Sequence, residues 1–340
     1  MFHKYMELKA ELLQEIALGI YPEGSLLPSE RDLARMYGIS RVSVRHTLDC
    51  MLKEGFLEKA PNNRNRIKSI SPRADVPQLV FIGYRPLAML PELYRKYYEA
   101  FLMKCTLLNC QLHYFDASSG INCCGIELFD AGFFIGNPPQ KTDLPFKLRK
   151  IIQLDGKNPS ACASFFTDNV AGGYSAAEHL KEYGFRRVAL ILPQDVDQGE
   201  YQGFIDRETG FRKGCAEFDL ECRRIVAANS TARSVFAALQ GETGIAGIEG
   251  LFVLSDYLAL NCLRALQEMK IRVPEDLSVI GYDGYSFGAY TVPALTTIAQ
   301  PVNEIVSNAL KIAFQENNVH EDCFIKPTLV IRNSTQKKEI

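Results

Sequence analysis

From Leu79 to Arg332 the chain alternates short apolar runs with amphipathic ones, and that order restricts its fold more than any single residue. "LVFIGY" precedes the helical stretch "ELYRKYYEAFLMKCTLL", and "QLHYF", "AGFFIGN", "KIIQLD" and "ACASFFTD" read as strands. The helix "VAGGYSAAEHLKEYG" then leads to the strand "RRVALIL", the helix "TGFRKGCAEF" to "CRRIVAA", and "ARSVFAAL" to "GLFVLS". "YLALNCLRALQEM" follows, before "LSVIGYD", "LTTIAQ", the helix "NEIVSNALKIAF" and the strand "TLVIR". Short unbroken apolar runs suit strands buried on both faces, and strands separated by helices pair in parallel. The expected body is α/β, with parallel sheet flanked by helices and ligands at the carboxyl ends of the strands.

The N-terminal part has a different pattern. In "LPSERDLARMYGISRVSVRHTL", Ser29 is a good N-cap and Asp32 stands where a capping box carries Glu. Leu33 and Tyr37 keep helical spacing until Gly38, whose freedom to take positive φ ends the helix. Ser40 caps a second helix with Val44, Leu48 and Met51 or Leu52 on its apolar side. Two short helices joined by a tight glycine turn form a helix-turn-helix, whose second helix enters the DNA major groove by its N-terminal residues. Arg41 and Arg45 lie one turn apart, opposite Val44 and Leu48, and so project from the entering end. Residues 4–18 form a covering amphipathic helix, and "FLEKA" and "NRIKSI" form a hairpin around Pro61-Asn62-Asn63, completing a winged helix.

Charge agrees. Leu27 to Arg73 carries ten Lys/Arg against five Asp/Glu, a net of +5, whereas the whole chain is −2, leaving −7 elsewhere. A basic module on an acidic body is the electrostatic pattern of a DNA binder. The 340 residues suffice for more than a DNA reader, at about 100–200 residues per domain. Ser71-Pro72-Arg73-Ala74-Asp75-Val76-Pro77 is an extended, semi-rigid linker of about 20 Å. No apolar run reaches membrane length, and the ten cysteines contain no C-x-x-C and no zinc spacing. Reduced cysteines in a cytoplasm, no metal and no cofactor are expected. His179 reads as a helix-packing residue.

Residues 4–70 resemble the DNA-binding domain of GntR-type bacterial regulators, through "GSLLPSERDLARMYGISRVSVRHTL" and "LKEGFL". The resemblance implies DNA contacts from Arg31, Arg41 and Arg45, with Ser40 and Ser43 at the hydroxyl positions. The wing departs from that family: its tip reads Pro61-Asn62-Asn63-Arg64-Asn65-Arg66 and lacks glycine. Arg64 and Arg66 are the wing residues able to reach phosphate or minor groove.

Residues 79–335 resemble the effector domain of LacI/GalR-type repressors, a periplasmic-binding-protein-like fold. The matching runs are "DNVAGGYSAAEHLKEYGFRRVALI", "RETGF", "LSDYLALNCLRAL", "VPEDLSVIGYDG", "LTTIAQP" and "PTLVIRNST". The resemblance implies two lobes, about 79–183 with 294–323 and 184–293 with 324–335, crossing near Gly184, Pro293 and Phe324. It also implies ligand contacts from Arg207, Asp283, Asp155 and Ser255, the last standing where Asn is common. Tyr84 or Tyr257 would cover an apolar ligand face. A guanidinium and a carboxylate suit the paired donors and acceptors of a polyol. Removing Arg207 or Asp283 is expected to abolish the ligand response while sparing the fold.

The combined reading is a ligand-responsive transcriptional regulator: a repressor, homodimeric on double-stranded operator DNA, answering to a sugar or sugar derivative. The alternatives are a non-sugar metabolite, purine-like or amino-acid-like, or an activator. The chain lacks a G-x-G-x-x-G after its first strand, H-E-x-x-H, G-x-S-x-G and a P-loop lysine, which sets an enzyme aside. A transport binding protein is set aside by the missing signal peptide and the basic winged helix.

Overall fold

The computed structural model describes residues 8–9, 11–12, 15–16, 20–22, 24–53, 56–61, 64–67, 76–119, 126, 128–136, 144–194, 202–241, 244–315 and 321–338. Residues 71–75 of the expected linker, the wing tip Asn62-Asn63 and Cys123-Cys124 lie outside them.

In the N-terminal unit, residues 8, 9, 11, 12, 15 and 16 are helical and belong to α1. The pair expected from the glycine turn is α2 (Glu30–Met36) and α3 (Arg41–Lys53), with Gly38 at φ 62° between them. The Ser29 hydroxyl accepts the Asp32 N–H at 3.2 Å and donates to the Asp32 carboxylate at 2.6 Å. The shorter aspartate thus closes on the cap's hydroxyl. A capping-box Glu reaches the cap's backbone N–H instead. Leu8 and Leu12 of α1, Leu33, Val44, Leu48 and Met51 form one core with Leu57 and Ile67 of a hairpin. That hairpin is β1 (Leu57–Lys59) against β2 (Asn65–Ile67), antiparallel with Leu57 opposite Ile67. The Tyr37 hydroxyl donates to the Glu15 carboxylate and ties α1 across the pair.

Two six-stranded sheets follow. The first contains β3 (Gln78–Gly83), β4 (Gln111–Asp116), β6 (Ala131–Ile135), β8 (Ile151–Leu154), β9 (Ala163–Thr167) and β15 (Glu321–Ile325). They are ordered β15-β9-β8-β6-β3-β4 and all parallel. A small parallel pair, β5 (Leu128–Phe129) and β7 (Lys147–Leu148), lies beside it. On one face, α4 (Glu92–Leu107) and α9 (Val302–Phe314) bury Tyr97, Phe101, Ile305 and Leu310 against Phe81, Phe133 and Ile152.

The second sheet contains β10 (Arg187–Pro193), β11 (Glu221–Ala227), β12 (Gly250–Val253), β13 (Ser278–Asp283), β14 (Thr296–Ala299) and β16 (Thr328–Val330). The order is β11-β10-β12-β13-β14-β16, parallel except for β16. Here α7 (Ala232–Gln240) and α8 (Asp256–Glu268) cover one face, and α5 (Asn169–Glu182) and α6 (Gln202–Glu217) the other. Sheets buried by helices on their faces are what the near-continuous apolar strands require.

The chain crosses between lobes at other points than the sequence suggests. The last strand of the first stretch in lobe one, β9, ends at Thr167, and α5 buries Ala176, Ala177 and Leu180 with Val188, Phe211 and Ile298 of lobe two. β14 pairs with β13 in lobe two, while α9 packs in lobe one; β15 pairs with β9 and β16 with β14. The crossings therefore fall at Asp168, at Gln300-Pro301 and at Lys326-Pro327, correcting Gly184 and Pro293 and moving the third just beyond Phe324. Apolar periodicity reveals a helix but not which of two sheets it covers. His179 is buried, with Nε2 3.1 Å from the Thr335 hydroxyl, as a packing residue.

Candidate functional site

Two sites emerge, one on the winged helix and one between the lobes. At the N-terminus of α3, Ser40 accepts the Ser43 N–H at 3.1 Å, and the two hydroxyls lie 3.0 Å apart. Arg41 and Arg45 project beyond them with side chains 63% and 62% exposed. Both lean toward Glu30 of α2: Arg45 donates through Nε at 3.3 Å and Nη2 at 3.0 Å, and Arg41 Nη2 lies 4.0 Å away. The hydrogen bond from Arg45 holds the Glu30 carboxyl below its ordinary range, against a smaller opposing effect of burial. The glutamate thus holds both arginines on one side of the helix. Arg31 is exposed on α2.

The wing arginines have duties inside the domain. Arg64 Nη2 donates to the Leu27 carbonyl at 2.9 Å, fastening the hairpin to the chain before α2. Arg66 Nη1 lies 3.9 Å from Glu58 on the facing strand, while its Nε is buried without a hydrogen-bond partner among the described residues.

Between the lobes, the carboxyl ends of the strands converge as parallel topology requires. Arg207, one turn into α6, is 6% exposed, and its guanidinium is held in three directions. Nε donates to Asn169 Oδ1 at 3.0 Å, Nη1 to the Leu254 carbonyl at 2.6 Å, and Nη2 meets Asp283 Oδ1 at 3.1 Å. Its Cζ lies 3.8 Å from the Tyr282 ring centroid and 4.8 Å from that of Phe204. Burial works against this charge, but Asp283, Tyr282 and Asp155 more than offset it and raise its proton affinity.

Asp283 ends β13 with φ 109°, a conformation that L side chains rarely adopt and that is typically stored at functional positions. Its Oδ1 also accepts from Gln300 Nε2 at 2.8 Å, and Gln300 Oε1 accepts from Thr167 of lobe one at 2.9 Å. Burial raises the Asp283 carboxyl, with Arg207 and Gln300 pulling it back. No hydrogen bond to its second oxygen exists among the described residues. Asp155 stands in the turn after β8 at φ 47°. Burial raises its carboxyl too, Arg207 opposing and Asp283 reinforcing, so all three groups share one electrostatic field.

Of the other expected residues, Ser255 caps α8, its hydroxyl accepting the Leu258 N–H at 3.2 Å. Tyr257 is 53% exposed and joins Tyr285 and Phe287, with ring centroids 5.1 and 5.2 Å away. Tyr84 follows β3 and packs against Val80, Ile82 and Phe115. The structure thus gathers Arg207, Asp283 and Asp155, places Tyr257 in a neighbouring aromatic group, and gives Ser255 a capping task.

Sequence reasoning passed over Gln300, Asn169, Lys96 and Asp256. Gln300 and Asp256 stand within the matching runs "LTTIAQP" and "LSDYLALNCLRAL", so a signal existed; Lys96, one charge among "YRKYYE", carried none. Asp256 is fully buried, accepting from the Thr297 hydroxyl and the Tyr285 N–H at 2.7 Å each. Burial, reinforced by Asp283, pushes its carboxyl up to about 7. Lys96 of α4 donates to the Gly284 carbonyl at 2.6 Å and lies 5.0 Å from the Tyr285 ring centroid. Glu92, one turn earlier, accepts from the Ser286 N–H and hydroxyl at 3.3 and 3.2 Å. Helix α4 therefore clasps the loop that follows Asp283.

A basic winged helix ahead of a two-lobed body with a polar cleft defines a DNA-binding regulator with an effector domain. Residues 4–67 match the model of bacterial regulatory proteins of the gntR family, and residues 177–335 match the periplasmic binding protein-like domain. The two matches give the chain a GntR-type regulatory domain followed by a periplasmic binding protein-like domain. It is 23% identical to the arabinose metabolism transcriptional repressor of Geobacillus stearothermophilus, over 98% of both chains. It is 29% identical to the transcriptional repressor PurR of Aliivibrio fischeri, over 58% of this chain and 59% of that one. In fold it is similar to a LacI family regulator from Enterococcus faecium with bound ribose, at 21% identity and a TM-score of 0.59, covering 77% of this chain and all of that one. A LacI family regulator from Arthrobacter in complex with lactose is similar at 20% identity and a TM-score of 0.59, with the same coverage. Among the described residues no helix is long and apolar enough to cross a membrane.

Proposed function

We propose that the chain is a cytoplasmic, homodimeric repressor that binds operator DNA through α3 and the wing and a sugar or sugar derivative between its lobes. The observation that carries the effector reading is the Arg207–Asp283 pair at the carboxyl ends of the lobe-two strands, with Asp155 facing it from lobe one. A polyol places adjacent hydroxyls against such groups, each donating to a carboxylate oxygen and accepting from a guanidinium N–H. Asp283 has an oxygen for this, and Arg207, with three of its five donors engaged, has two N–H groups. Tyr257 and its aromatic neighbours offer an apolar face for the ring. Arg31, Ser40, Arg41, Ser43 and Arg45 form the reading surface, with Arg64 and Arg66 toward the wing. A repressor of arabinose metabolism aligned end to end supports both the repressor sense and the sugar.

The test is a thermal-shift screen of free pentoses, hexoses, their phosphates, purines and amino acids, followed by calorimetry on each hit. A sugar or sugar derivative should raise Tm and stay chemically unchanged, and Asp283→Asn should lose the response. Stabilisation by a purine or amino acid alone, or turnover of the hit, would overturn the reading.

A further inference from the structure

We propose that Val42 reads the methyl group of a thymine in the major groove, a specificity contact beside those of the arginines; this rests on the reading that α3 enters DNA. The first turn of α3 contains four side chains. Arg41 leans on Glu30, Ser43 shares hydroxyl contact with Ser40, and Val44 is fully buried in the core. Val42 is 79% exposed. Among the described residues it neither packs nor hydrogen-bonds, and it lies on the outward face between Arg41 and Arg45 on one side and His46 on the other.

Nothing in the free domain accounts for a valine there. A β-branched residue lowers helix propensity, and most of its apolar surface is left in water. Its chemistry finds a match in only one feature of the major groove. Apart from small C–H edges such as cytosine C5–H, the exposed groups on the base edges are polar donors or acceptors, whereas thymine offers its C5 methyl to apolar side chains. Glu30 draws Arg41 and Arg45 to the other side of the helix and leaves Val42 the foremost apolar group at the entering end.

The experiment uses the full chain and a duplex that it selects from a random-sequence library. Each thymine is replaced in turn by deoxyuridine, which removes the methyl and leaves the pairing edge intact, and affinity is read by fluorescence anisotropy. For the wild type, one thymine per half-site should be sensitive, by about fourfold for each methyl withdrawn from contact. Val42→Ala should bind the unmodified duplex more weakly by a similar factor and lose sensitivity to that one replacement. Its Tm should match the wild type, since the side chain supports nothing in the fold. A Val42→Ala protein that keeps the same deoxyuridine profile, or a wild type indifferent to every replacement, overturns the proposal. Arg45→Ala separates the two readings: undiminished binding by that variant would reject α3 as the reading helix, whatever Val42 does.

Discussion

The sequence marks Arg207 as a proposed ligand contact through its family resemblance, but its structural burden is not legible there. The run "RETGF" marks it, yet no sequence signal shows that its guanidinium spans Asn169, the Leu254 carbonyl and Asp283. The sequence expectation that its removal would spare the fold is therefore revised. Arg207→Ala leaves Asp283 buried without its cation, and breaking such a pair costs about 3–5 kcal/mol. Urea denaturation should show that loss, with Arg207→Lys recovering only part of it because an ammonium on a flexible stem cannot reproduce the planar fork. Asp283→Asn is the milder probe of the ligand role. Asp256 leads to a pH prediction. A carboxyl raised to about 7 in the fold, against an ordinary value near 3.8, binds its proton more tightly when folded. Its contribution is complete below about pH 4 and is lost as pH rises through 7, a swing of about 4 kcal/mol. His113 and His179, lowered to about 4 by burial, act in the opposite sense over most of that range. The informative curve is therefore the stability of Asp256→Asn minus that of the wild type, which cancels the histidines. It should climb between pH 4 and 7 and level off above; a flat difference would contradict the buried-carboxyl account.

At the scale of elements, α5 and α6 show why Arg207 is held so firmly. They cross through glycine: a Cβ on Gly210 would lie 1.9 Å from the Val170 carbonyl oxygen, and one on Gly173 would lie 2.0 Å from that of Arg207 itself. Neither neighbour can move without moving a helix backbone. Gly210→Ala should cost about 1–3 kcal/mol or more, as overpacking does, and weaken effector binding by shifting the helix that bears Arg207. Calorimetry and a melting curve on one preparation would check both effects. The strands and helices themselves were legible because the apolar runs of β3, β6, β10 and β13 are unbroken and the helical stretches amphipathic. What could not be read was sheet membership. The short strand β15, with the polar Asp322 in "EDCFI", gave no apolar run, and it is the last lobe-one strand before the chain crosses back to lobe two. Helix α5 reads the same whichever sheet it covers. They explain the first and third displaced crossings, and the second moves because β14 pairs with β13 in lobe two.

In the whole molecule, the lobes meet through polar contacts close to the candidate ligand groups and through Tyr285 and Phe287, which pack with the lobe-one core. Lys96 and Glu92 hold the loop after Asp283, and Thr167 reaches Asp283 through Gln300. A ligand bonding to Asp283 must alter this set, and α4, which supplies two of the groups, lies in the lobe that follows the linker. The linker sequence, with Pro72 and Pro77, has no alanine- and leucine-rich run, so the proposed signal is a change in lobe closure and in the spacing of two winged helices. Its size is bounded by linkage: a coupling of about 1–3 kcal/mol changes operator affinity roughly 5–150-fold, and the operator must change effector affinity by the same factor. The decisive measurement is that thermodynamic square: effector titrated by calorimetry into the free protein and into its operator complex, and operator titrated by anisotropy with and without effector. The account predicts equal factors on both edges, with effector weakening operator binding, and no coupling in Asp283→Asn, which still binds operator. An effector that binds tightly yet leaves operator affinity unchanged would contradict it.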